Sequence, residues 1–250
     1  RVDASRYRAS AAGRPRNRSF DRVLLQRPAV AALRSWRHRF TRRRGQHPGH
    51  DSVVGMSVSR AGADRAAAGI AAPRDAATVV LLRQSGPTLE CLLLQRRASM
   101  AFAGGEWVFP GGAVDEADRQ TVSAGRWVPS AERTVELLGQ TGLGVDRDGA
   151  LALCVAACRE TFEECGVLLA RHSDGRTCSP QFLYALQEGR SKEGDPAASF
   201  GTLLEQQDLV LELDRLIYWS NWITPAFFPK RFDTRFFVVA VPESQRAAVD

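Results

Sequence analysis

The chain has 250 residues, 34 Lys and Arg against 28 Asp and Glu, and a hydrophobic content of 44%. This composition supports one sizeable core and excludes a wholly disordered chain, a collagen and a disulfide-rich mini-protein. No apolar run approaches the roughly 18–20 residues that a membrane-spanning helix needs, so we expect no membrane segment.

Charge divides the chain into two parts. Residues 1–50 hold 14 arginines, no lysine and two acidic residues, whereas the other 200 residues hold 20 basic and 26 acidic ones. We expect residues 1–75 to be a disordered, Arg- and Ala-rich N-terminal extension, with Met56 as a candidate start. A transit peptide and a nucleic-acid-binding arm are the alternatives, and the sparse aromatic residues argue against nucleic acid as a partner.

The number and spacing of the cysteines indicate whether the protein resides in a reducing or an oxidising compartment. The five cysteines form no C-x-x-C pair and show no metal-ligand spacing. They are interpreted as buried thiols in a reducing compartment. The start of the sequence also lacks the apolar stretch of a secretory signal, so a cytoplasmic location is expected.

The first predicted elements are strands. Two β-rich runs at 77–83 and 90–96 flank a turn signal at 84–88 and predict a hairpin. A short strand at 107–109 then leads into Pro110-Gly111-Gly112. The domain is expected to span residues 76–250.

The central predicted element is a helix at 151–165 that ends at Gly166. Before it, the polar stretch 113–148 predicts a loop with one short helix near 130–138. The other predicted strands are 167–170, 216–224 and 232–241, and the other predicted helices are 180–187 and 200–207. Segregated strands and helices favour an α+β fold, an α/β/α sandwich. Such domains usually close with a helix, so we expect a truncation after the last strand.

Three acidic residues in the central helix predict a site for a divalent cation. Glu160, Glu163 and Glu164 lie at positions i, i+3 and i+4 and share one helix face. Their like charges repel unless a cation binds, and carboxylate oxygens are the ligands that Mg²⁺ prefers. The alternative is a solvated acidic face.

A glycine pair precedes this helix in the chain. Phe109-Pro110-Gly111-Gly112 follows a predicted strand. Two glycines let a backbone carbonyl approach a ligand or a metal, where a side chain would clash. A plain turn is the alternative interpretation.

Together these segments resemble the Nudix box, G-x5-E-x7-R-E-U-x-E-E-x-G-U, where U is apolar. Gly112 opens the box, and the segment 159–167 (RETFEECGV) closes it. Here Asp118 replaces the first acidic residue, forty residues separate it from Arg159, and Thr161 replaces the apolar residue. We expect an insertion at about 119–150 that loops out, since loop-closure cost grows slowly with length.

The interrupted box is similar to the branch that includes coenzyme A diphosphatases. The run 92–96 (LLLQR), followed by Gly105-x-x-x-Phe109 and the glycine pair, partly matches the signature of that branch. Ala101 stands where the signature has arginine. The resemblance covers about residues 76–241 and implies a Nudix-like sandwich with a mixed central sheet.

The resemblance also implies metal-dependent hydrolysis of a nucleoside diphosphate linked to another moiety, with Mg²⁺ or Mn²⁺ as cofactor. The small-molecule substrate is expected to be coenzyme A or acyl-coenzyme A. ADP-ribose, NADH or a nucleotide sugar is the alternative, as is a non-catalytic nucleotide-binding module. Members of the family are often dimers, so a homodimer is one option.

The family's site residues carry over one by one. The metal ligands would be Glu160 and Glu164, then Glu163 and the Gly111 carbonyl. Glu163 is the expected general base. Arg159 is expected to point to another helix face and to hold a loop carboxylate, with Asp115, Glu116 and Asp118 all open. Phe109 and Gly112 are expected substrate contacts. Arg96 and Arg235 are candidate phosphate contacts on the basis of their charge, with a surface or structural role as the alternative.

Overall fold

The computed structural model describes residues 20–26, 71–99, 104–139, 144–192, 200–242 and 244–247. A mixed seven-stranded sheet forms its centre, and a second sheet has two strands. The strands are β1 (Phe20–Gln26), β2 (Arg74–Ser85), β3 (Thr88–Arg96), β4 (Trp107–Val108), β5 (Gly111–Ala113), β6 (Ala170–His172), β7 (Leu209–Leu211), β8 (Ile217–Ile223) and β9 (Phe232–Ala240). The helices are α1 (Glu116–Ser123), α2 (Glu132–Gly139), α3 (Arg147–Cys165), α4 (Pro180–Lys192) and α5 (Phe200–Gln206).

Strands β2 and β3 form the predicted hairpin and then separate. They pair from Ser85 and Thr88 as far as Leu82 and Cys91. Beyond that point β5 pairs with β2, and β4 pairs with β3. The segment from β4 to β5 is therefore a wedge between two strands of the main sheet. This wedge carries the glycine pair into the middle of the molecule.

One face of the sheet packs against α3. Parallel pairing of β2 with β9 sets Ala77, Val79 and Leu81 opposite Arg235, Phe237 and Val239. All six are buried, and with α3 they make up much of the core. Strand residues alternate between the two faces, so this register determines which side chains face the helix.

Helix α3 begins four residues earlier than predicted. The side chain of Asp146 accepts a hydrogen bond from the Gly149 amide at 2.8 Å and caps the helix. The helix ends as predicted, because Gly166 adopts a left-handed conformation with φ 68°. An unrecognised cap therefore explains the wrong start.

The predicted strand at 167–170 is wrong. Strand β6 begins only at Ala170 and pairs with β7, which was not predicted. Upstream of it, the Gln245 side chain donates to the Leu168 carbonyl and accepts from the Leu168 amide, both at 2.8 Å. The Gln245 side chain thus makes the backbone hydrogen bonds that a neighbouring strand would make if Leu168 lay in a sheet.

The polar stretch 113–148 is more helical than predicted. It contains α1, which begins with a capping box between Asp115 and Asp118, in addition to the expected α2. The helix α1 packs against α3. Residues 140–143 lie outside the described residues.

The N-terminal extension supplies one unpredicted element. Strand β1 pairs antiparallel with β3, with Leu24 opposite Leu93. Strand β2 also begins two residues before the expected domain boundary. Most of the extension, including Met56, lies outside the described residues, and so do the predictions made for it. The α+β class with a mixed central sheet is confirmed.

The cysteines are free thiols, as predicted. Cys154, Cys158, Cys165 and Cys178 are buried, whereas Cys91 is half-buried on β3. Burial raises the pKa of Cys154 to about 12. Among the described residues, no helix is both long and apolar enough to cross a bilayer.

Candidate active site

The end of α3 meets the glycine corner, which we define as residues 110–112. The Gly111 amide donates to Glu164 Oε2 at 2.9 Å. A Cβ on Gly112 would overlap the Glu160 carboxylate. Two acidic residues of the helix therefore contact the corner directly, although the insertion separates them in sequence.

Only glycine fits at position 111. Its φ is 158°, and it lies opposite Thr78 on β2. A Cβ there would lie 2.8 Å from the Thr78 Cα, which is closer than non-bonded carbons approach. Gly111 therefore allows the β4–β5 segment to pack against β2, and its amide also binds Glu164 in the site.

Arg159 and Asp118 form a buried, two-pronged ion pair. Arg159 Nε lies 2.8 Å from Asp118 Oδ1, and Nη2 lies 2.9 Å from Oδ2. The Asp118 side chain is 1% exposed. Asp115 is farther away, at 3.8 Å, and caps α1 instead, while Glu116 is exposed. Of the three candidate acids, Asp118 is the partner of the arginine.

The same guanidinium also holds two glutamates, contrary to the expectation that it points to another face. Arg159 Nη1 donates to Glu160 Oε1 at 2.8 Å and to Glu163 Oε2 at 3.1 Å. Its Nη2 donates to the Ala113 carbonyl at 3.1 Å. The long side chain folds back along its own helix, so one cation links β5, α1 and the acidic cluster.

The acidic cluster, which consists of Glu160, Glu163 and Glu164, is not fully neutralised by nearby cations. Burial is the main cause that raises the pKa of Glu160, Glu163 and Glu164. For Glu164 the pKa rises to about 8, with the charge of Glu160 as second cause and the Gly111 amide as an opposing one. Buried carboxylates with raised pKa values favour either a proton or an added cation.

The donor chemistry fits a hard divalent cation. Three glutamates on consecutive turns supply oxygen ligands beside a glycine backbone, which is the ligand type that Mg²⁺ prefers. Across the described ranges, no three His, Cys, Asp or Glu side chains are already arranged as a metal site. The reason is visible: Glu160 and Glu163 bind Arg159, and Glu164 binds the Gly111 amide.

Comparisons with known proteins agree with this geometry. The family model of the NUDT19 Nudix domain matches residues 128–250. A chicken (Gallus gallus) acyl-coenzyme A diphosphatase NUDT19 is 32% identical over 206 residues, covering 66% of this chain and 54% of the relative. The human protein of the same name is 30% identical over 179 residues, covering 61% and 48%. The chain thus spans about half the length of these relatives.

A solved structure shows the same fold. The crystal structure of a NUDIX hydrolase from Alicyclobacillus acidocaldarius superposes with a TM-score of 0.53 at 28% identity. The match covers 72% of this chain and 74% of that one. Together these matches support a Nudix hydrolase. The chain is similar to the branch that includes coenzyme A diphosphatases.

The Nudix box is thus interrupted in sequence but continuous in space. Asp118 lies where the box places its first acidic residue, and it binds the box arginine. The side chains of Glu160 and Glu164 both contact the glycine corner. The roles of the three glutamates in metal binding and catalysis stay predictions.

Among the predicted substrate contacts, Arg235 is placed differently. It is 1% exposed and forms ion pairs with Asp233 and, at 3.9 Å, with Asp75. Strand alternation turns it toward the helix face of the sheet, beside Phe237, rather than toward solvent. Its ion pairs give it a structural role, and substrate contact by Arg235 stays a prediction.

The other three predicted contacts lie near the site. Arg96 is close enough to Glu164 to lower its pKa. Phe109 is half-buried between β4 and β5. Gly112 leaves the space that the Glu160 carboxylate occupies, so the absence of a side chain at this position has a structural reason. Substrate contact by these residues stays a prediction.

Three tryptophans of the strands are exposed rather than buried in the core. Trp107, Trp219 and Trp222 are 37%, 56% and 69% exposed. Strand β8, which carries Trp219 and Trp222, is an edge strand of the sheet. Hydrophobic pattern alone does not distinguish an edge strand from a central one.

Proposed function

We propose that this chain hydrolyses the diphosphate bond of a nucleoside diphosphate linked to a second group, in a reaction that depends on Mg²⁺ or Mn²⁺. One observation carries the proposal: the glycine corner contacts Glu160 and Glu164 across the insertion. A solvated acidic face would have no reason to be buried against a glycine backbone.

In this proposal Glu160 and Glu164 are the principal metal ligands, followed by Glu163 and the Gly111 carbonyl. A divalent cation bound there offsets the negative charge of the diphosphate and lowers the pKa of a bound water. The charge balance supports this assignment, because Arg159 is shared among three carboxylates.

Arg159 acts in this scheme as a positioning residue. Its bond to the buried Asp118 fixes the guanidinium, which then orients Glu160 and Glu163. Preorganised carboxylates lose little freedom when a substrate binds, which favours the transition state. The residue touches ligands and backbone rather than substrate.

Glu163 is the proposed general base. Its side chain is 47% exposed, whereas that of Glu160 is 14% exposed. A base must reach the attacking water and then release the proton to solvent, so the more exposed carboxylate suits the role. Arg159 holds it from the other side at 3.1 Å.

We propose coenzyme A or acyl-coenzyme A as the preferred substrate. Two relatives that match the chain are acyl-coenzyme A diphosphatases by name. The partial LLLQR and glycine-corner signature points the same way, and Arg96 lies near the acidic cluster, where it suits a phosphate. ADP-ribose, NADH and nucleotide sugars remain the alternative substrates.

A substrate panel with matched variants tests the proposal. We expect wild-type protein to convert a diphosphate compound into two phosphomonoesters, detected by mass, only when Mg²⁺ or Mn²⁺ is present. Glu164→Gln should lower kcat at least 100-fold, while Glu136→Gln, an exposed residue of α2, should match wild type. Wild-type turnover in excess chelator would contradict the proposal. The kcat/KM values across the panel separate coenzyme A compounds from the alternatives.

A further inference from the structure

A group of apolar side chains is exposed at the turn between β8 and β9. We call it the aromatic tip; its members are Trp222, Ile223, Phe227 and Phe228, with exposed fractions of 69%, 42%, 81% and 41%. The two phenylalanine rings lie 4.6 Å apart, centre to centre. A group of exposed large apolar side chains at one turn is typical of a binding site.

The aromatic tip is a built feature of the fold. Arg231 at its base is buried and donates to the Thr224 carbonyl at 3.0 Å and to the Ala71 carbonyl at 2.8 Å. The Phe232 amide donates to Thr224 Oγ1 at 3.0 Å. These bonds close the loop, so the exposed rings are presented on a fixed base.

The sheet register places this tip near the glycine corner. Trp222 lies opposite Thr234, Thr234 opposite Ala76, and Ala76 opposite Ala113. Three strand spacings of about 4.8 Å separate Trp222 from Ala113, a span of ~14 Å. Ala113 directly follows the corner, and its carbonyl accepts from Arg159.

The two features also share one end of the sheet. The Val114 amide donates to the Asp75 carbonyl near the start of β2, and Arg74 pairs with Phe232 at the start of β9. The loop that carries Phe227 and Phe228 continues past these strand ends. A flexible ligand in the site can therefore reach the tip around the end of the sheet without passing through it.

We propose that the aromatic tip binds the apolar acyl group of a thioester substrate whose diphosphate occupies the site. This inference rests on the proposed diphosphatase function. In coenzyme A, 13 bonds separate the diphosphate from the thioester sulfur, and at about 1.2 Å per bond an extended chain spans ~16 Å. This arm, lengthened by the acyl chain, is long enough to span the separation between the corner and the tip, whereas a ribose or a hexose is too short.

The chemistry of the tip suits an alkyl chain. Each methylene that is fully removed from water strengthens binding about fourfold. A longer acyl chain should therefore gain affinity until it has covered the exposed rings. Free coenzyme A, which ends in a thiol, gains nothing from the tip.

Chain-length preference tests the inference. We would compare kcat/KM for free, octanoyl and dodecanoyl coenzyme A between wild type, the double variant Phe227→Ser with Phe228→Ser, and the control Tyr184→Ser. Tyr184 is 55% exposed on α4, away from the tip. We expect wild type and control to prefer the dodecanoyl compound at least tenfold. The double variant should lose this preference and retain its rate on free coenzyme A.

A binding measurement separates this inference from the proposed function. Calorimetry in chelator compares the affinity for dodecanoyl and free coenzyme A without turnover. If no panel compound is hydrolysed, the proposed function fails, and the inference still stands if the double variant loses a dodecanoyl preference in binding. Equal preference in wild type and double variant overturns the inference. So does tip-dependent sedimentation with phosphatidylcholine vesicles without acyl preference, which would identify a lipid surface as the occupant.

Discussion

The two halves of α3 differ sharply in composition, although they form one continuous helix. Residues 150–158 are all buried, and they are alanine, leucine, valine and cysteine. The following residues, 159–164, include an arginine and three glutamates. A helix that is apolar all round is buried on every side. The first half is therefore enclosed by the core, and the second carries its charges to the edge of that core.

This comparison teaches how the fold holds like charges together. Helix α3 packs against β2, α1 and α2, which fixes the helix axis against the repulsion at its charged end. The glycine corner and Asp118 are then built against the charged turn. Core packing offsets the cost of an acidic cluster that the site needs.

The largest expected effect comes from placing a charge in the apolar half. Val155→Asp buries a carboxylate with no partner, which we expect to destabilise the fold by about 4 kcal/mol or more. The midpoint of urea unfolding measures the change. Leu137→Asp, the same kind of change on the exposed face of α2, should cost less than about 1 kcal/mol. Similar losses in both variants would show that α3 is not enclosed.

Breaking the ion pair between Arg159 and Asp118 in the charged half should lower the free energy of unfolding by somewhat less than Val155→Asp does. Arg159→Met leaves the buried Asp118 without its partner, and we expect a loss of about 3 kcal/mol together with loss of turnover. The control Arg147→Met removes an exposed pair with Glu132 and should leave the unfolding midpoint nearly unchanged. Chemical unfolding and activity are measured on the same samples. Unchanged stability in Arg159→Met would contradict the assigned partner.

Weakening the start of α3 should have a modest effect. Asp146→Ala removes the cap that accepts from the Gly149 amide, with an expected cost of about 1 kcal/mol. Asp148 lies two residues further along and does not accept this hydrogen bond. Asp148→Ala should therefore lower the free energy of unfolding by only a few tenths of the loss expected for Asp146→Ala. Thermal unfolding resolves the two. An equal effect would mean that the cap contributes nothing beyond its charge.

Thiol labelling probes the apolar half without changing its stability. Because burial raises the pKa of Cys154 to about 12 and raises that of Cys158 as well, both thiols should stay protonated at pH 8. Iodoacetamide should modify the half-buried Cys91 first, and the other two only after unfolding, as mass mapping of peptides would show. Rapid native labelling of Cys154 would place the apolar half at the surface.

Local patterns predicted the elements that depend on local rules. The hairpin of β2 and β3 follows from its turn signal, and the end of α3 follows from Gly166, because both depend on neighbouring residues. The helical spacing of Glu160, Glu163 and Glu164 likewise follows from the sequence. The box resemblance then identified the partner segment at the glycine corner.

Long-range partners could not be predicted in the same way. The sequence left Asp115, Glu116 and Asp118 open as partners of Arg159, and only the docking of α1 on α3 selects Asp118. The burial of Arg235 could not be predicted either, because it depends on the register of β9 with Ala77 on β2. Leu168 was assigned to a strand because nothing local shows that Gln245 satisfies its backbone.

Manganese binding tests the central claim most directly, since the corner and the α3 glutamates must act as one site. The electron paramagnetic resonance signal of free Mn²⁺ reports the dissociation constant for wild type, Glu164→Gln and the exposed control Glu136→Gln. We predict binding in wild type and control, and at least tenfold weaker binding in Glu164→Gln. Equal affinity in all three proteins, or no binding by wild type at millimolar Mn²⁺, would contradict the account.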